Sequence, residues 1–184
     1  MDIKNPYFSV EISSNQIDAI KKDVEKILKD SIEIPFESLS NPHISISYGI
    51  GSIKKENIED ICEEICEAPF CMEITGFELV FSEYYNGTIL CLALNHNDDF
   101  LYSQEFLKEN FNDKNVSFKE FKGGFKAHIS LFIFKEITPE AIEVLPRYLE
   151  IALSNVNKTK IIGEKFCVYS ENREKLIEKN FKSK

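Results

Sequence analysis

The sequence predicts an α+β fold with a hidden duplication, and three observations carry that prediction. The tetrad His43-Ile44-Ser45-Ile46 recurs 85 positions later as His128-Ile129-Ser130-Leu131, in a chain of 184 residues with only three histidines. Apolar residues switch repeatedly between a period of two, as in a strand, and a period near 3.6, as in a helix. The resulting order is strand, helix, His strand, helix, hairpin, helix, His strand, helix, strand, so each half carries one tetrad.

Each element has its own justification. Phe8, Val10 and Ile12 alternate with Ser9 and Glu11, which reads as a first strand. Ser13 precedes Gln16 by three, the spacing of a capping box, and Ile17, Ile20, Val24, Ile27 and Leu28 follow at helical spacing to about Asp30. Pro35 ends that pattern, and Asn41-Pro42 gives an extended approach to the first His strand. Gly49 and Gly51 are expected to end that strand. Ile58, Ile61, Cys62 and Ile65 line one face of a second helix that stops before Pro69.

From Phe70 the period returns to two through Met72, Ile74, Phe77, Leu79 and Phe81. Asn86-Gly87 is a hairpin turn signal, and Ile89 to Leu94 is the returning strand. Asp98 or Asp99 caps a third helix through Phe111. Gly123-Gly124 reads as a hinge before the second His strand. Thr138-Pro139-Glu140 starts a fourth helix with Pro at its first position, which Pro146 is expected to kink or cut short. Phe166 to Tyr169 reads as a strand after Gly163. Arg173 to Phe181 suits either a helix or an edge strand.

The length fits one domain over residues 1–184, and 15 Phe with no Trp predict a Phe-filled core. No signal peptide is recognised, and no apolar run reaches the roughly 18 residues of a membrane span. Five cysteines, an odd number, read as reduced thiols in a cytoplasmic compartment. The net charge of −9, from 22 basic and 31 acidic side chains, argues against gripping long duplex nucleic acid by its backbone. A small phosphorylated ligand remains compatible with the local cluster Lys119, Lys122 and Lys126, whose competing reading is a solvated loop.

Strand alternation sets His43, Ser45 and Ser47 on one face, opposite Ile44, Ile46 and Tyr48. In the second copy it sets His128 and Ser130 opposite Ile129, Leu131 and Ile133. Each copy thus offers an imidazole beside a hydroxyl on a strand whose other face suits a core. Cleaving a phosphodiester without a metal needs a base, an acid and donors to the phosphoryl oxygens. Two histidines can share the proton transfers, and serine hydroxyls can donate as charge builds on oxygen.

These residues also carry a resemblance. Pro42-His43-Ile44-Ser45-Ile46-Ser47-Tyr48 and Lys126-Ala127-His128-Ile129-Ser130-Leu131-Phe132 resemble the paired His-x-Thr/Ser-x motifs of the 2H phosphoesterase superfamily, the LigT-like and cyclic phosphodiesterase group. The resemblance extends to the opening strand and helix from Tyr7 and to the late strand from Phe166. It implies two pseudo-symmetric lobes of antiparallel sheet around a central cleft, each with one motif, and makes Lys175 to Phe181 a strand. It implies His43 and His128 as the catalytic pair, Ser45 and Ser130 as phosphate ligands, and no cofactor or metal. Serine at both hydroxyl positions, where many members have Thr, and the acidic balance are departures.

The implied activity is metal-independent cleavage of a ribose-adjacent phosphodiester: a 2′,3′-cyclic phosphate, a 2′–5′ linked oligonucleotide or a cyclic oligonucleotide. The alternative is a non-enzymatic nucleotide- or RNA-end-binding module. The expected partner is a small nucleotide or short oligonucleotide, met by a monomer. Tyr7, Tyr48, Tyr84, Tyr85 and Phe132 are the candidates to stack on a base, with core packing as the competing fate. The Cys62, Cys66, Cys71 spacing departs from structural zinc pairs, and His96 reads as a surface loop residue.

Overall fold

The computed structural model describes residues 1–31, 34–111, 116–121, 124–156 and 159–182. In chain order the first half runs β1 (Asp2–Lys4), β2 (Tyr7–Ile12), α1 (Asp18–Ser31), β3 (Glu37–Ser38), β4 (His43–Lys54), α2 (Lys55–Ile65) and β5 (Cys71–Ser82). The second half runs β6 (Gly87–Leu94), α3 (Asp98–Phe111), β7 (Val116–Phe118), β8 (His128–Phe134), α4 (Pro139–Val156), β9 (Lys160–Tyr169) and β10 (Lys175–Asn180). The predicted element order and the hairpin at Asn86-Gly87 are both present, and the ambiguous tail is the strand β10. The short strands β1, β3 and β7 were not foreseen.

Six antiparallel strands form a ring in the order β4, β2, β9, β5, β6, β8, closed by one pair, Ile44 with Ile129, between β4 and β8. The first lobe holds β2, β4, β9 and β10, with α2 and α3 packed on β4 and α2 on β10; the second holds β5, β6 and β8, with α4 on β5 and α1 against α4. The first lobe therefore takes β9, β10 and α3 from the second half of the chain, and the second lobe takes β5 and α1 from the first. Where β9 crosses β2, a Cβ on Gly163 would lie 2.5 Å from Val10 Cγ1, so the close approach needs glycine.

The core follows the apolar faces. Phe8, Phe70, Phe100, Phe111, Phe132, Phe134 and Phe166 are all fully buried. Burying each such side chain contributes about 1.5–3 kcal/mol, and together they hold both lobes on one continuous core.

Several local expectations are corrected. Ser13 makes no side-chain cap, and a short 3-10 turn over Ser14–Gln16 precedes α1. Gln16 instead exchanges hydrogen bonds with the backbone of Ile162 at 2.8 and 2.7 Å. Gly49 and Gly51 do not end β4, which continues to Lys54 because β1 and β7 pair with its second half. Gly163 lies inside β9. Pro146 does not cut α4 short. Its cost of roughly 3 kcal/mol is outweighed by burial of Ala141, Leu145, Leu149, Ala152 and Val156 along one stripe.

The largest correction concerns which side chains face the cleft. On β4, Phe8 pairs with Ser47 but Ser9 pairs with Ser45, so Ile46 is an extra residue. On β8, Leu90 pairs with Phe132 but Cys91 pairs with Ser130, so Leu131 is extra. Both are β-bulges three residues after a histidine, and each shifts the alternation by one. Tyr48 and Ile133 therefore join the histidine face, while Ser47 and Phe132 turn away from it. The carbonyls at the bulges still find donors: Gln104 Nε2 donates to Ile46 O at 2.7 Å, and Leu39 N donates to Leu131 O at 2.9 Å.

Candidate active site

Both tetrads open onto one cleft of about 870 Å³, lined by His43, Ser45, His128 and Ser130 among others. The pairing of Ile44 with Ile129 is antiparallel. Carried one residue either way, it sets His43 across from Ser130 and Ser45 across from His128, all on one face. The motifs therefore interlock, with each imidazole beside the other lobe's serine.

The two imidazoles are held alike. His43 Nδ1 lies 2.9 Å from the carbonyl of Asn41, and His128 Nδ1 lies 2.9 Å from the carbonyl of Lys126. A carbonyl only accepts, so Nδ1 carries the proton in both, and Nε2 is left for the ligand. Burial, followed by the nearby charges of Arg173 and His128, holds His43 below the usual histidine value against the Asn41 carbonyl and Glu11. His96, on the surface as expected, accepts the backbone N–H of Ala127 through Nε2 at 3.0 Å and so braces the approach to His128.

The serines differ in surroundings. Ser45 Oγ lies 2.7 Å from the Tyr7 hydroxyl and 3.4 Å from that of Tyr48. Tyr7 and Tyr48 are stacked with ring centroids 4.7 Å apart. Burial first, then Tyr48, raises the Tyr7 pKa, so Tyr7 is a neutral phenol that can donate to Ser45. Ser130 Oγ has a weaker neighbour, Cys91 Sγ at 3.9 Å, whose thiol burial pushes up to about 12.

Of the aromatic candidates, Tyr7, Tyr48, Tyr84 and Tyr85 line the cleft and Phe132 does not. Phe132 is fully buried against Phe36, at 5.3 Å between centroids, because the bulge at Leu131 turns it to the core. Lys119 and Lys126 line the cleft; Lys126 lies 3.9 Å from Glu78 and Lys119 sits over the Phe121 ring. Lys122 and the first glycine of Gly123-Gly124 lie outside the described residues.

Sequence reasoning missed Arg173, Tyr169, Phe121 and Phe125, all of which line the cleft. Arg173 carried one signal: it is one of only two arginines beside 20 lysines. Among the described residues, one group brings possible metal ligands together, Glu11, Cys167 and Glu178 within 4.8 Å. Lys175 already pairs with both carboxylates, at 2.7 and 3.2 Å. A smaller groove of about 460 Å³ between α4 and β5–β6 contains neither histidine.

No protein-family profile and no curated protein sequence matches the chain. Solved structures do. Usb1 of Kluyveromyces marxianus with uridine monophosphate is similar with a TM-score of 0.60 and 11% identity, over 96% of this chain and 97% of that one. TT0787 of Thermus thermophilus is similar with a TM-score of 0.58 and 13% identity, over 96% and 97%. LigT of E. coli complexed with 3′-AMP is similar with a TM-score of 0.53 and 10% identity, over the whole of both chains. At these identities the likeness is one of fold: the chain has the two-lobed LigT-like architecture throughout its length.

Proposed function

We propose that this chain is a 2H-type phosphoesterase that cleaves a ribose-adjacent phosphodiester without a metal, in a small nucleotide or short oligonucleotide. The observation that carries the reading is the matched pair of imidazoles, each tied through Nδ1 to the carbonyl two residues before it and joined by the Ile44–Ile129 pair. A ribose hydroxyl or a water gives its proton to Nε2 of His43 as its oxygen attacks phosphorus. His128, protonated at the start, gives its Nε2 proton to the departing oxygen. Ser45 and Ser130 donate to the non-bridging oxygens as negative charge grows there. Exchange with solvent then returns both histidines to their starting states.

The size of the substrate is argued from charge and shape. A net charge of −9 disfavours a long phosphate backbone. A cleft of about 870 Å³ lies within the range of small-ligand sites. The similar structures of Usb1 and LigT hold uridine monophosphate and 3′-AMP, which supports a nucleotide here.

The test is a panel of 2′,3′-cyclic nucleotides, 2′–5′ linked oligonucleotides and cyclic dinucleotides, incubated with EDTA and resolved by product chromatography. Turnover in EDTA is expected, because the two imidazoles make both proton transfers. No turnover on any member, or activity abolished by EDTA and restored by zinc or manganese, rejects the reading. A pure binding module would bind panel members without turnover, and His43→Ala would then have no rate to remove.

A further inference from the structure

Arg173 sits at the β9–β10 turn with φ 64, a left-handed conformation unusual for an arginine. The turn is closed by Arg173 N donating to Ser170 O at 3.0 Å and Ser170 N donating to Glu174 O at 2.9 Å. This backbone sends the side chain over the cleft. Its guanidinium carbon stands 4.2 Å above the Tyr7 ring centroid, 5.7 Å from that of Tyr48 and 5.5 Å from that of Tyr84.

No carboxylate among the described residues lies within ion-pair distance of Arg173. Glu11, on the same face of β2 as Tyr7, is bonded to Lys175 at 2.7 Å and to the Tyr169 hydroxyl at 2.6 Å. Glu171, two residues away on the same turn, accepts from Asn5 Nδ2 at 2.9 Å. Its N–H groups meet the neutral hydroxyls of Tyr7 and Tyr48, partners that do not offset its charge, and a guanidinium has five N–H donors, so others remain for a ligand. Of the other cations lining the cleft, Lys126 lies 3.9 Å from Glu78 and Lys119 sits over the Phe121 ring. Arg173 is the cation stacked on Tyr7, the ring whose hydroxyl bonds Ser45.

We propose that Arg173 is a substrate-anchoring residue whose guanidinium fork takes phosphoryl oxygens beside Ser45. This rests on the phosphodiesterase reading for its effect on turnover, but the binding of phosphate does not. Arginine fits because its planar fork meets two phosphate oxygens at once, while a lysine offers a point charge. Its charge also contributes to lowering the His43 pKa.

The test compares wild type, Arg173→Gln and Arg173→Lys by titration with inorganic phosphate, read from the ring signals of His43 and His128, and by kcat and KM on the best panel substrate. Arg173→Gln is expected to weaken phosphate binding and lower kcat/KM by about 10–100-fold, the range for hydrogen bonds to a charged group. Its unfolding midpoint should match wild type, and Arg173→Lys should recover part of the loss. Wild-type phosphate affinity in Arg173→Gln, or no phosphate binding by wild type, overturns the proposal. Arg173-dependent phosphate binding with no turnover on the panel leaves the anchor standing and rejects the phosphodiesterase reading instead.

Discussion

Ile44 and Ile129 face each other as the registered pair between β4 and β8, and their neighbours on the opposite face are the two histidines and two serines. The pair is fully buried on both sides. Its role is to hold the two lobes at one spacing and one register. That spacing decides whether two imidazoles reach one phosphate, because a proton transfer needs hydrogen-bond distance at both ends.

His43→Ala and His128→Ala should each lower kcat by roughly 10²–10⁴-fold. The double variant should cost far less than the product of the two, since residues acting as a unit are not additive. Steady-state rates, with circular dichroism to confirm folding, decide it. A single variant retaining more than half of wild-type kcat would remove that histidine from the mechanism.

Ser45→Ala and Ser130→Ala should each cost about 10²-fold in kcat, as for one lost oxyanion donor. Tyr7→Phe removes only the hydroxyl that bonds Ser45 at 2.7 Å and should cost less, about tenfold. If Tyr7→Phe proved as damaging as Ser45→Ala, Tyr7 itself would be touching the substrate.

Burial, with the charges of Arg173 and His128, holds His43 below its ordinary value. A base with a lowered pKa stays unprotonated further into acid, so the acid limb of log kcat/KM against pH should fall below about 6.5. Arg173→Gln removes one of the lowering charges and should move that limb to higher pH. A limb above about 6.5 in the wild type, or one unmoved in the variant, would contradict the assignment of His43 as the base.

Phe132→Ala and Tyr48→Ala should separate core from cleft. Phe132 is fully buried, so its loss should cost about 3–5 kcal/mol of stability with KM unchanged in the folded fraction. Tyr48 is stacked on Tyr7 and lines the cleft, so its loss should raise KM. Urea unfolding and KM are the readouts, and the reverse pattern would place the bulge at Leu131 wrongly.

The duplication, the element order and the two His-Ile-Ser triplets were legible in the sequence alone. Each rests on local chemistry: period, turn residues and the choice of imidazole beside hydroxyl. The side of the strand on which Tyr48, Ser47, Phe132 and Ile133 emerge was not legible. A bulge is a disagreement of one residue between two paired strands, and neither strand carries it alone. Ile46 and Leu131 became extra residues only when β2 and β6 paired beside them. Arg173 was hidden for a related reason. It lies far along the chain from both tetrads and reaches the cleft through the pairing of β9 with β2 and β10. Which residues are candidates for the chemistry follows from their own side chains. Which of them meet is decided by register between distant strands, because hydrogen-bond pairing, not sequence separation, sets the distances.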